Sequence, residues 1–231
     1  MFPETGGKKI LVVIPVYNEG PVIREVIQSL LSNKFISIIV VDDGSQRRVR
    51  NLIADLPVTL LTHRANLGQG AALQTGFEFA KQLSPDIVIT FDADGQHDVK
   101  DIFPLVTAIL KNETDIVFGS RFLGKRTNIP FTKVLLLKIA TIINFFFSGL
   151  LLTDAHNGLR AFGKLALNKI NLVENRMAHA SEILFQVKIH KLRYMEVPVH
   201  IHYTDYAHKK GQSVIDSIKI LFDLVLHKLF K

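Results

Sequence analysis

Asp92-Ala93-Asp94 follows the apolar run Ile87 to Phe91. Two carboxylates one residue apart, where a strand ends, can both turn toward one divalent cation as the chain leaves the sheet. Mg2+ and Mn2+ favour such hard oxygen ligands, completed by substrate phosphate oxygens. An isolated Asp-x-Asp also marks ordinary turns, but here Gly95-Gln96-His97-Asp98 continues it and Gln96 adds another candidate ligand. A second acidic group, Asp42-Asp43-Gly44-Ser45, closes another β-rich run. A carboxylate there can accept from a nucleobase or ribose, or cap the following helix. Ile14-Pro15-Val16-Tyr17-Asn18-Glu19 ends the first run in the same way. Pro15 stiffens the turn, Tyr17 offers a ring for a base and Glu19 an acceptor, although ordinary strand-to-helix punctuation has the same look. Asn66-Leu67-Gly68-Gln69-Gly70-Ala71-Ala72 is a Gly-rich helix entry that is neither a P-loop nor the dinucleotide fingerprint. Its small residues suit close approach to a ligand or to a neighbouring strand.

The elements that carry these groups alternate. Lys9 to Ile14, Ile36 to Val41, Thr59 to Leu61, Ile87 to Phe91 and Asp115 to Gly119 are predicted strands. Val22 to Ser32, Gly70 to Leu83 and Val99 to Lys111 have helical apolar spacing. Such alternation predicts an α/β fold, a mostly parallel central sheet with helices on both faces. Ligands of such sheets sit beyond the carboxyl ends of the strands, where the polar motifs fall.

At 231 residues the chain is long enough for one substantial α/β domain, and 48% apolar content allows a proper core. With no cysteine, disulfides, cysteine-zinc sites and a thiol nucleophile are excluded. Met1 to Lys9 contains no apolar run, so no secretory signal is expected. The net charge of +7 is clustered at Arg47-Arg48-Arg50, Arg121 to Arg126 and Lys209-Lys210. These are either solvated surface or contacts for phosphate-bearing ligands or an anionic membrane. No zinc finger, RNP-like motif or basic zipper is present, so nucleic acid is a poor candidate. Val134 to Thr153 approaches a bilayer span of about 20 residues, but Lys138 and Asn144 interrupt it. A buried or interfacial helix is expected instead. Ser213 to Lys231 has amphipathic spacing and forms a predicted terminal helix, 213–231, that either packs on the domain or lies on lipid.

Taken in order, IPVYNE (14–19), VDDGS (41–45), NLGQGAALQTGF (66–77), DADGQ (92–96), GSR (119–121) and TDAHNGLRAF (153–162) resemble the inverting GT-A glycosyltransferases of sequence family 2. The closest likeness is to dolichyl- and polyprenyl-phosphate sugar transferases, and it runs from about Lys9 to Ser213. It implies a GT-A (nucleotide-diphospho-sugar transferase) catalytic domain over 1–212, including an apolar interface helix region at 131–152. It implies a donor pocket lined by Pro15, Tyr17, Glu19, Val41 and Asp43. Asp92, Asp94 and Gln96 would hold Mg2+ or Mn2+ against the diphosphate of a UDP- or GDP-sugar, with Ala93 touching the nucleotide by its backbone. Arg121 would face phosphate, where a guanidinium offsets the charge growing on the leaving group. Asp154 and Glu182 are the candidate general bases for a hydroxyl acceptor; a phosphate acceptor, already anionic, needs less help. For Asp154, holding Arg160 or a loop is the alternative.

The resemblance implies an acceptor that is a polyprenyl phosphate, or a hydroxyl of a lipid-linked or surface-polysaccharide acceptor. It places the chain in the cytoplasm, peripheral at the inner face of the membrane. A homo-oligomer or a small membrane-protein partner is compatible with its apolar helices. The family's R-x-x-G-x-S-K is replaced by His208-Lys209-Lys210-Gly211-Gln212-Ser213-Val214, where Lys209 or Lys210 can supply charge to the diphosphate. Lys133 and Lys138 are the nearest substitutes for the family's acceptor-phosphate Arg and Ser. A sugar-1-phosphate nucleotidyltransferase would need an early Gly-rich loop with Arg and a Pro-Lys pair, which this N-terminus lacks.

Overall fold

The computed structural model describes residues 7–124 and 131–202; Lys209, Lys210, the predicted helix 213–231 and the side chain of Lys133 lie outside the described residues. The order is β1 (Ile10–Val16), α1 (Val22–Leu31), β2 (Ile36–Asp42), α2 (Arg50–Ile53), β3 (Thr59–Thr62), α3 (Gln69–Gln82) and β4 (Ile87–Thr90). A 3₁₀ turn over Val99–Asp101 then enters α4 (Ile102–Leu110), followed by β5 (Ile116–Ser120), α5 (Phe131–Ser148), β6 (Arg160–Gly163), α6 (Lys164–Lys169), α7 (His179–Ile189) and β7 (Tyr194–Pro198). The strands form one seven-stranded sheet in the order β3-β2-β1-β4-β6-β5-β7.

The uninterrupted apolar run of β1 is that of a strand covered on both sides, and its side chains divide between two cores. Ile10, Val12, Ile14 and Val16 pack with Ile23, Ile27 and Leu30 of α1 and Leu105 and Val106 of α4. Leu11 and Val13 pack with Leu73, Phe77 and Ala80 of α3 and Ile183, Leu184 and Val187 of α7. The predicted parallel arrangement is present in β1, β2, β3 and β4. The strands run one or two residues further than predicted in places: β1 reaches Val16 and β2 reaches Asp42.

Strand β6 has no counterpart among the predicted elements and runs antiparallel to both β4 and β5. The reversal decides where the site lies. Arg160, at the start of β6, pairs with Thr90 and Phe118 near the carboxyl ends of β4 and β5. Residues 153–160 are therefore delivered to the same edge of the sheet as the acidic motifs.

Helix α5 ends at Ser148, and Gly149 at φ +67° turns the chain away. The expected apolar segment to Thr153 is thus a helix followed by an extended arm. Leu150 and Leu152 enter the core while Leu151 points out. Leu135, Ile139, Ile142 and Phe146, spaced four, three and four apart, are exposed along one face of α5, Phe146 by 79%. Among the described residues no helix is long and apolar enough to cross a membrane.

Candidate active site

The ends of β1 and β2 are tied together before any ligand arrives. Asp42 Oδ1 accepts the Ser45 N–H at 3.0 Å, Ser45 Oγ accepts the Asn18 N–H at 2.9 Å, and Asn18 Oδ1 accepts the Gln46 N–H at 2.9 Å. Asp43, 2% exposed, spends its carboxylate inside the protein. Its Oδ1 meets His63 Nδ1 at 2.7 Å and the Leu67 N–H at 2.9 Å; its Oδ2 accepts from Asn66 Nδ2 at 3.0 Å and the Gly68 N–H at 2.7 Å. Asp43 therefore clamps the Gly-rich entry to α3. Gly68 adopts φ +111°, and a side chain there would run into the Asn175 carbonyl.

Residue 69 carries this loop to Asp92-Ala93-Asp94. Gln69 Nε2 donates to Asp92 Oδ1 at 3.2 Å, while His97 Nε2 meets Asp92 Oδ2 at 2.9 Å. His97 Nδ1 is buried without a hydrogen-bond partner, so Nε2 is the ring atom that engages Asp92. Asp92 keeps about 30% of its side chain exposed. Burial pushes the Asp92 carboxyl up, but His97 and the nearby Arg160 guanidinium outweigh this and hold it below the usual range. Asp94 goes the other way, raised by burial and then by the charge of Asp92, with Glu19 adding to it. Two neighbouring carboxyls driven apart in this way mark an excess of negative charge that a cation would relieve. Among the described residues no three or more His, Cys, Asp or Glu are grouped to hold a metal. The pair with Gln96 thus makes a partial oxygen set, suited to an ion that keeps substrate phosphate and water ligands.

The third part lies past β5. Arg121 donates from its backbone N–H and from Nε to Asp154 Oδ2, at 3.1 and 2.6 Å. Asp154 is 2% exposed, and its Oδ1 is buried without a hydrogen bond. Arg160 is buried, donates to the Asn157 and Ala155 carbonyls, and stacks over Phe118. Burial lowers its pKa to about 10 against the opposing pull of Asp92 and Asp154, so it stays charged near neutrality. His156 and His179 are both lowered to about 4, by burial first and then by Arg160. Both rings are neutral at pH 7. His156 Nε2 lies 3.0 Å from Asn144 Nδ2, which ties α5 to this edge.

A family model described as glycosyl transferase family 2 matches residues 11–171. The chain belongs to that family. It is 34% identical to the UDP-N-acetylglucosamine–dolichyl-phosphate N-acetylglucosaminyltransferase of Methanococcus voltae, over 97% of this chain and 98% of that protein. It is 30% identical to the dolichol-phosphate mannosyltransferase of Pyrococcus furiosus, over 95% of this chain and 62% of that one. Glucosyl-3-phosphoglycerate synthase of Mycobacterium tuberculosis, solved with Mn2+ and UDP, shares the fold at a TM-score of 0.69 and 18% identity, over 95% of this chain and 81% of that one. The fold is GT-A.

In this glycosyltransferase the residues singled out from sequence do not all stand alike. Pro15, Tyr17 and Glu19 reach the surface beside Asp43, and Asp92, Asp94, Gln96 and Arg121 share the carboxyl edge of the sheet. Val41 stands apart: its side chain is wholly buried on the α3 face, and its backbone pairs with Pro15 and Leu61. The Ala93 methyl group packs in the other core, while the contact expected of this residue is through its backbone. Glu182 accepts the Val173 and Glu174 N–H groups at 3.0 Å each, so its carboxylate fixes the loop entering α7. Asp154 grips Arg121, whereas the alternative to a catalytic role had it holding Arg160 or a loop. Gln69, His97 and Gly158 were not singled out from sequence, although each adjoins or lies within a quoted motif; His63, also not singled out, stands three residues before one. Glu196, which accepts from Thr153 and Asp154, lies in none of them.

Proposed function

We propose that the glycosyltransferase moves a sugar, with inversion, from a nucleotide-diphosphate sugar to a polyprenyl phosphate at the cytoplasmic membrane face. The observation that carries this is the juxtaposition, on one sheet edge, of a carboxyl pair driven to opposite pKa directions and an arginine fixed by a buried aspartate. Asp92, Asp94 and Gln96 would hold Mg2+ or Mn2+, which when bound neutralises diphosphate charge. Arg121 offers a fixed positive group to the oxygens on which charge grows as the nucleoside diphosphate departs. Tyr17 and Glu19 meet the nucleoside. A phosphate acceptor attacks as an anion, so no protein group need take a proton from it. The exposed apolar face of α5 would rest at the lipid boundary and bring the acceptor's headgroup to the site.

Transfer to a hydroxyl of a lipid-linked acceptor is the alternative, favoured by one feature: Asp154 Oδ1 is buried and unpartnered, as a waiting base would be. Incubating the purified protein with Mn2+ and labelled nucleotide sugars, UDP-N-acetylglucosamine first, separates the two. Label in a polyprenyl monophosphate sugar supports the proposal. Label only in a lipid-linked saccharide transfers the assignment to the alternative, and hydrolysis alone with every acceptor overturns both.

A further inference from the structure

Glu196 stands on β7 at the edge of the sheet, outside every motif that carries the family likeness, and its carboxylate is directed at one turn. Oε2 accepts the Thr153 N–H at 2.7 Å; Oε1 accepts the Asp154 N–H and the Thr153 hydroxyl, both at 3.0 Å. An ionised carboxylate only accepts, so the polarity of the whole chain of bonds follows. Thr153 must donate to Glu196, which leaves Thr153 Oγ1 to accept from the Ser120 hydroxyl 2.6 Å away. Ser120 Oγ is then the acceptor for the Phe122 N–H at 3.1 Å. From the same turn, Asp154 Oδ2 takes the backbone N–H and Nε–H of Arg121. Residues 120, 121 and 122 are thus all held from 153–154, and 153–154 is held from Glu196.

We propose that Glu196 is a positioning residue that aims the Arg121 guanidinium at the donor phosphates through Thr153 and Asp154. The inference rests on the proposed role of Arg121. Glu196→Gln keeps the size of the side chain and breaks its grip. A carboxamide has one accepting oxygen, and in either orientation its NH2 faces a backbone N–H, of Thr153 or of Asp154. Strand β7 keeps its ladder with β5 and Val197 its burial, so the fold has other support.

The test is a double-mutant cycle on turnover, with nucleotide affinity measured by calorimetry and folding by thermal melting. Because displacement by around an ångström costs roughly a hundredfold, Glu196→Gln is expected to lower kcat by roughly ten- to a hundredfold. Nucleotide affinity should change little. In an Arg121→Ala background the same substitution should cost nothing further. Should Glu196→Gln fail to fold, Thr153→Val removes only the hydroxyl link and should show a smaller loss that is likewise absent without Arg121. An equal loss in both backgrounds, or a Glu196→Gln single variant with native turnover, overturns the inference. An Arg121→Ala variant with native turnover overturns instead the role proposed for Arg121.

Discussion

The Asp92 carboxylate lies directly against the backbone of Gly158, and that contact can be broken with one methyl group. A Cβ built on Gly158 overlaps Asp92 Oδ2 and comes within 2.8 Å of both Cγ and Oδ1. Gly158 is outside the left-handed region, so Gly158→Ala carries no backbone penalty. The backbone cannot easily retreat, because the Gly158 carbonyl accepts from Thr90 Oγ1 at 2.6 Å. The carboxylate must move. Reaching ordinary carbon contact near 3.4 Å requires a shift of at least about 0.6 Å, and more for Oδ2. Such a shift breaks the bond to His97 at 2.9 Å or to Gln69 at 3.2 Å. Misplacement on this scale costs on the order of a hundredfold in kcat/KM, or about 2.7 kcal/mol. Overpacking should take a further ~1–3 kcal/mol from stability. Initial rates and Mn2+ binding followed by electron paramagnetic resonance would be measured on the same preparation, with melting as the folding control. A folded Gly158→Ala protein with native kcat/KM and native Mn2+ affinity would refute both the placement of Asp92 and its use.

Asp94→Asn should abolish transfer while leaving the melting temperature near native, and EDTA should do the same to the unaltered protein; full turnover in metal-free buffer ends the metal proposal. The two buried histidines predict an acid-side loss of stability. Their folded pKa values of about 4 lie below the ordinary 6.5, so the unfolded chain binds protons first as the pH falls. Stability is fully present above pH 6.5 and is lost as the pH falls toward 4, by up to about 1.4 kcal/mol per pH unit for each histidine. Urea melts at pH 7 and 5 read this directly, and equal midpoints would contradict the burial of His156 and His179. Liposome flotation tests the membrane face: the protein should float with anionic vesicles at low salt, and Phe146→Glu should reduce flotation without changing nucleotide binding. A protein that stays at the bottom of the gradient removes the lipid surface as a partner.

Much of the donor edge is legible in the sequence because the parallel strands announce themselves locally. Runs such as Ile10 to Val16 and Ile36 to Val41 are apolar almost throughout, and each leads into its polar motif. β6 is less legible because it has four residues, Arg-Ala-Phe-Gly, and nothing in that composition gives the direction of the strand. The roles of acids are harder still. Asp43 and Glu182 look like ligands for something outside the protein, yet both are held inside it, by backbone N–H groups at Leu67, Gly68, Val173 and Glu174 and, for Asp43, by the His63 and Asn66 side chains as well. A backbone donor leaves no mark on the sequence. Helix α5 fails in another way: it is apolar on nearly every side, so periodicity cannot say which face α7 covers and which is left outside.

The contrast between Asp92 and Asp94 ties these parts together. Both are aspartates in one motif, two residues apart, and the sequence treats them as equals. The fold does not. Antiparallel β6 brings Arg160 close enough to Asp92 for its charge to count, and His97 and Gln69 complete that carboxylate's shell. Asp94 receives the Gln96 N–H at 3.0 Å and is opposed by the charges of Asp92 and Glu19. One carboxylate is therefore fixed in place, while its neighbour carries charge that the fold does not fully balance. That imbalance falls on the side facing Glu19, where a cation would restore neutrality. The Gly-rich loop makes the coupling mechanical as well as electrostatic. It is clamped by Asp43 at Leu67 and Gly68 and passes its next side chain, Gln69, to Asp92, so a displacement at the Asp43 clamp is felt at the carboxyl pair one residue later.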